Sequence, residues 1–176
     1  MTIVPDTKDW TWVLTRPCPE CGFESASITR ADVPVLLVAN AAAWRQVLAG
    51  PDPHARSRPD RWSPLEYACH VRDVCRVYAE RLHLMLTVDD PHYPNWDQDA
   101  TAVTDRYAEQ DPATVATELT AAAEHLAARF AELTDAQWAR TGSRSDGAHF
   151  TVDTFARYFI HDPVHHLHDA AGGKDN

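Results

Sequence analysis

Four of the chain's ten histidines fall between His161 and His168. His161 and His165 are four residues apart, so on a helix they project from one face, where two imidazoles can share a metal ion. A third ligand must come from elsewhere. His70 is the best candidate, because it sits on an apolar, helix-patterned stretch from Leu65 to Met85. Three neutral imidazoles leave a divalent ion with open positions, the arrangement of a catalytic site rather than a closed structural one. Imidazole-only ligation suits zinc, nickel and iron alike. The competing reading of the same spacing is polar surface near a helix end, and Pro163 disturbs the geometry between His161 and His165.

These side chains need helices to hold them, and four are expected. The first begins between Thr29 and Val33, carries Leu36, Leu37, Asn40, Trp44 and Leu48, and stops at Gly50-Pro51. The second has the clearest start: Ser63-Pro64-Leu65-Glu66 reads as a capping box with proline in the first turn, and the helix runs to about Leu86. The third opens at Asp111-Pro112 and repeats Val115, Leu119, Ala122, Leu126, Phe130 and Leu133 at helical spacing. A short extra turn opens at Thr134 and packs Trp138. The last helix begins near Thr151 and carries Phe155, Tyr158, Phe159 and the histidines; Pro163 should kink or restart it. Residues 1–28 read as an irregular arm, 29–172 as the bundle and 173–176 as a tail. Residues 87–110 form a long loop between the second and third helices, and 141–149 a polar connection. No strand is predicted, so the fold class is all-α, a four-helix bundle. His70 can meet the later histidines only if the second and last helices are neighbours.

Composition narrows the function. The 176 residues suffice for one domain with a sizeable core. A formal net charge of −10, with the acids spread along the chain, argues against nucleic acid or an anionic membrane as partner. No apolar run approaches the ~20 residues that span a bilayer, and no secretory signal layout is present. A cytoplasmic location and a small-molecule substrate are the expectation. No phosphate-binding glycine loop or nucleophile elbow occurs. Asp97 and Asp99 lack the following glycine and glutamate of a calcium loop.

The segment Trp62-Ser63-Pro64-Leu65-Glu66-Tyr67-Ala68-Cys69-His70 resembles the W-S-x-x-E-x-x-x-H opening of the second helix in DinB-like proteins, and His161-x-x-x-His165-His166 is similar to the histidine motif of their last helix. The resemblance covers residues 30 to 170. It implies a four-helix bundle with a divalent metal on three histidines, which fall here on His70, His161 and His165. After the double histidine, Leu167-His168-Asp169 stands where many relatives continue with a basic residue and Gly-Gln, which leaves His166 and His168 as surface or supporting residues. Trp96-Asp97-Gln98-Asp99-Ala100 and Cys18-Pro19-Glu20-Cys21-Gly22 resemble actinobacterial members of the group. The group includes thiol S-transferases and a maleylpyruvate isomerase that use mycothiol or bacillithiol. The resemblance therefore implies a metal-dependent thiol S-transferase or isomerase with a low-molecular-weight thiol cofactor. In such an enzyme, contacts to cofactor or substrate are expected from Arg72, Tyr93, Trp96, Asp97 and Tyr107; a surface loop that plugs the bundle end, with Arg72 paired to Asp73 or Glu80, is the competing reading. The other class is a non-catalytic metal- or ligand-binding bundle acting as a homodimer.

Cys18-Pro19-Glu20-Cys21-Gly22 has the shape of half a zinc knuckle, two thiols on a tight turn. No second C-x-x-C completes it. Recruited histidines such as His54 or His149, a second subunit's copy, a disulfide, or two reduced thiols all remain open. Cys69 and Cys75, six apart on a helix, face different ways and read as small buried hydrophobes.

Overall fold

A computed structural model describes residue 3 and residues 9–172. Pro5 and the 173–176 tail lie outside them. Four long helices form the frame: α1 (Asp32–Leu48), α2 (Pro64–Thr87), α4 (Pro112–Ala131) and α6 (Val152–Ala170). Between them stand two short ones, α3 (Gln98–Thr104) and α5 (Asp135–Trp138). α4 packs against both α1 and α2, and α6 packs against the same two helices. The second and last long helices are thus neighbours, as the histidine spacing required. Trp44, Leu65, Leu82, Leu119, Phe130, Phe155 and Phe159 fill the centre. Among the described residues no helix is long and apolar enough to cross a membrane.

The capping box at the head of α2 is formed in both directions. Ser63 Oγ accepts from the Glu66 N–H at 3.2 Å, and a Glu66 carboxylate oxygen accepts from the Ser63 N–H at 2.8 Å. Arg56 clasps the same carboxylate through Nε and Nη2 at 2.8 and 2.5 Å, so the cap also ties the α1–α2 connection to the helix it starts. Ser63→Ala should cost about 1 kcal/mol, read as a fall of roughly 2 to 4 °C in Tm.

Two expectations change. α6 runs unbroken through Pro163 instead of restarting there. The proline carbonyl accepts a 2.8 Å hydrogen bond from Nδ2 of the buried Asn40, which ties α1 to α6 at that turn. The all-helical expectation also misses a small sheet: β1 (His92–Tyr93), β2 (Thr141–Arg144) and β3 (His149–Thr151), with β1 parallel and β3 antiparallel to β2. Its strands are two to four residues long, too short for alternation to show. Gly147, at φ 94°, turns the hairpin. Gly142 is needed for room: a Cβ there would lie 2.8 Å from Met85 Cγ. The segment expected as a loop, 87–110, is organised by β1, α3 and a 3-10 turn at Tyr107–Glu109.

The N-terminal arm is irregular as expected, with 3-10 turns at Thr11–Leu14 and Ser25–Ser27. It lies along α6 and buries Val13, Cys18 and Phe23.

Candidate metal centre

α6 offers two ligand pairs, not one. His161 and His165 share one face, and Asp162 and His166, each one residue later, share a face about 100° further round. The N-terminal arm covers the first face and α2 meets the second. Donor atoms accordingly gather in two groups, each within 4.8 Å: Cys18, Cys21, His161 and His165 in one; His70, Asp162 and His166 in the other. The set His70, His161 and His165, implied by the resemblance, is not assembled as one group among the described residues. His70 sits in one and the two α6 histidines in the other.

In the group on α2, Nε2 of His70 lies 3.3 and 3.4 Å from the two carboxylate oxygens of Asp162. The His70 ring is fully buried, packed flat on Trp96 (5.4 Å between centroids, 12° between planes), with Trp62 at 5.2 Å and His166 edge-on at 4.7 Å. His166 turns Nε2 toward Asp162 at 3.8 Å and Nδ1 to Asp169 at 3.3 Å. An outer carboxylate on the far nitrogen is the arrangement that fixes a ligating imidazole's tautomer and orientation. Burial pushes the His70 imidazole below its ordinary pKa. Burial would raise the Asp162 carboxyl, but His70 and His166 beside it, His70 through a hydrogen bond that its neutral ring can donate from Nε2, hold it well below the carboxylate range. Neutral imidazole beside an ionised carboxylate is the protonation state that ligates a cation. The buried Nδ1 of His70 has no hydrogen-bond partner, a cost of about 1–3 kcal/mol. Two imidazoles and one carboxylate fit a zinc or iron(II) site that keeps positions open.

In the group under the arm, the Cys18 Sγ lies 3.7 Å from Nδ1 of His165. The other nitrogen of His165, Nε2, faces Glu20 at 3.4 Å and Asp169 at 3.7 Å. Asp169 therefore stands behind both His165 and His166 and joins the two groups. Trp10 lies 5.2 and 5.0 Å from the rings of His161 and His165, and Phe23 lies 5.5 Å from His161. Burial lowers the pKa of His161 to about 4 and also lowers that of His165. Burial pushes the Cys21 thiol up to about 12, the opposite of what a reactive thiol needs. All four cysteines are free of disulfides. Neither His54 nor His149 joins Cys18 and Cys21 in this group. His54 faces the Ala108 carbonyl and His149 faces Ser143.

Both groups border one cavity of about 1240 Å³. Of the five residues expected to contact a cofactor, Trp96 and Asp97 line it, and Asp97 also caps α3 by accepting from the Ala100 N–H. The other three do not line it. Arg72 is buried in an ion pair with Asp73, Tyr107 donates its hydroxyl proton to Asp73, and Tyr93 is buried beneath Arg81. Sequence reasoning did not single out Asp162 or Asp169 and placed His166 as a surface or supporting residue; here Asp162 and His166 stand in the group on α2, with Asp169 behind them. The signal was present in the i, i+4 spacing of 162/166 and the i, i+3 spacing of 166/169, overshadowed by the more familiar pair of histidines.

A family model described as the DinB superfamily matches residues 36–170. Among solved structures, YfiT from Bacillus subtilis, described as a probable metal-dependent hydrolase with an unusual four-helix bundle topology, has a similar fold. It is 20% identical over 83% of this chain and 87% of that one, with a TM-score of 0.76. No curated protein matches the sequence.

Proposed function

Since the chain belongs to the DinB superfamily, we propose that it is a metal-dependent enzyme whose divalent ion is held by His70, Asp162 and His166 and whose nucleophile is a low-molecular-weight thiol of the mycothiol type. The observation that carries this is three donor atoms within 4.8 Å of one another, contributed by two helices at the edge of a large cavity. Zinc is the first expectation, with iron and nickel compatible. When bound, such an ion lowers the pKa of a coordinated thiol or water, so that thiolate or hydroxide is available near neutral pH.

The chain's own residues do the rest. Trp96, stacked on His70, holds the ring plane and screens it from water on that side. Asp169 takes the Nδ1 proton of His166 in a hydrogen bond and leaves Nε2 for the ion. A cavity of about 1240 Å³ has room for a thiol and a second, electrophilic substrate. Its wall mixes the indoles of Trp62 and Trp96 with the carboxylates of Asp97 and Asp99, which suits a polyhydroxylated ligand. A second reading, hydrolysis by an activated water, draws on the donor set itself, since two histidines and a carboxylate also serve zinc hydrolases.

The test uses untagged protein with its metal content measured per chain. Metal-loaded protein is assayed with mycothiol and an electrophilic dye precursor, and separately with activated esters in the absence of thiol. Conjugation that needs both thiol and metal, and stops on chelation, is the expected result. Ester hydrolysis without thiol would replace it with the second reading. Metal bound with neither reaction would leave a binding bundle and overturn the enzyme.

A further inference from the structure

The C-x-x-C turn of the arm lies outside the matched residues 36–170, and the proposed reaction uses neither of its thiols. We propose that Cys18, Cys21, His161 and His165 are the four ligands of a second, closed metal site, a structural zinc that fastens the N-terminal arm to α6.

The donor chemistry is that of structural zinc: two thiols and two imidazoles, with no carboxylate and no fifth position. The four donor atoms lie within 4.8 Å of one another. Zinc bonds of about 2.3 Å to sulfur and about 2.0 Å to nitrogen at tetrahedral angles put sulfur and nitrogen about 3.5 Å apart. Cys18 Sγ and His165 Nδ1 are 3.7 Å apart.

The backbone of the turn is shaped for the task. The Cys18 N–H donates to the Phe23 carbonyl at 2.8 Å and the Gly22 N–H to the Cys18 carbonyl at 2.9 Å. Gly22, at φ 74°, adopts the left-handed conformation that such a turn requires. Both thiols are thereby held on one side of a tight loop.

The surroundings fit as well. His161 is only 4% exposed, and its buried Nε2 has no hydrogen-bond partner. His165 sends Nδ1 toward the thiols and Nε2 toward the Glu20 carboxylate at 3.4 Å, the outer contact that ligating histidines commonly make. Glu20 belongs to the turn itself, so one short segment supplies two ligands and the support for a third. Trp10 and Phe23 cover the histidine rings from the arm side.

The site has a consequence for the cavity. Trp10, Thr11 and Glu20 of the arm line it, as does Trp96. Zinc at the knuckle would hold that wall in place, while Asp169, behind both His165 and His166, couples it to the reacting centre. Its role is in positioning, and binding the ion releases the two thiol protons.

The test is zinc-edge X-ray absorption on the full, untagged chain loaded with zinc alone, for wild type, His70→Ala and the Cys18→Ser/Cys21→Ser double variant. The wild type should show sulfur scattering at about 2.3 Å. His70→Ala should keep one zinc with two sulfur and two nitrogen neighbours, even if the proposed reaction is wrong. The double variant should lose the sulfur shell. A wild-type zinc shell without sulfur overturns the site, as does a native disulfide between Cys18 and Cys21. Because the double variant can fail to fold, alkylation of native wild-type protein gives a second measure. Cys21, partly exposed, should be modified at least tenfold faster after chelation; equal rates with and without chelator overturn the proposal.

Discussion

A His70→Ala variant should bind one divalent ion fewer per chain and lose at least about a hundredfold of its metal-dependent turnover. His70 is the only member of its group supplied by α2; the other two, Asp162 and His166, come from one helix. Without it the ion would be left with two protein ligands on a single turn of α6. Loss of an outer-sphere partner alone typically costs 10- to 100-fold in metal affinity or activity, so loss of a ligand should cost more than about that. His70 is also fully buried between Trp62 and Trp96, and truncation opens a void that lowers stability as well. His70→Gln separates the two effects, because it keeps much of the side-chain volume. It should lose the ion and the turnover with a smaller drop in Tm. Metal content per chain and turnover, measured on the same preparations, check this. Undiminished metal and turnover in His70→Ala would move the chemistry to the arm-side group.

Asp73→Ala should destabilise the protein by about 3 kcal/mol, a fall of roughly 6 to 12 °C in Tm, and leave the metal content of the folded protein unchanged. Asp73 sits one turn after His70, where one role open to a carboxylate is to back that imidazole. The structure gives it another. Its carboxylate accepts from Arg72 Nε and Nη2 at 2.9 Å each, from Arg76 at 3.0 Å and from the Tyr107 hydroxyl at 2.6 Å. Arg72 in turn donates to Gln110 and Glu118 at 2.8 Å. This network joins α2 to the 3-10 turn at Tyr107 and to α4. Removing the carboxylate leaves the Arg72 guanidinium buried with its remaining partners on one side only, which is the costly way to break a buried ion pair. Burial alone would raise the Asp73 carboxyl, but the hydrogen bonds from Arg72 and Tyr107 outweigh it and hold the pKa below the usual range. The folded value then lies under the unfolded one of about 3.9. The stabilisation is complete above about pH 4 and fades as pH falls through the lower folded value. Denaturant titrations of wild type and Asp73→Ala should therefore stand apart near neutral pH and converge in acid. Curves that stay parallel down to low pH would show that the carboxylate's charge is not what stabilises the network.

The two variants also mark how far local pattern carries. The helix starts at Ser63, Asp111 and Thr151 were legible because a cap and the apolar run behind it lie in one short segment. The sheet was not, because its strands are only two to four residues long and β1 finds its partner about fifty residues away, His92 beside Ser143. Arg72 and Tyr107 looked like ligand contacts because an arginine and an exposed-looking loop tyrosine often are. They became structural once α4 and the turn at Tyr107 closed over α2.

The sequence by itself determined the bundle, the helix boundaries near their caps, and the concentration of candidate metal-binding side chains on α2 and α6. Helical spacing alone decides that 161 pairs with 165 and 162 with 166. Spacing carries no information about which neighbour each face will meet. Only the tertiary structure, by laying the arm along one face of α6 and α2 against another, placed His161 and His165 with Cys18 and Cys21 and left Asp162 and His166 for His70. A rotation of about 100° between consecutive residues separates the two groups, and the packing of α6 between arm and α2 decides which partners meet them.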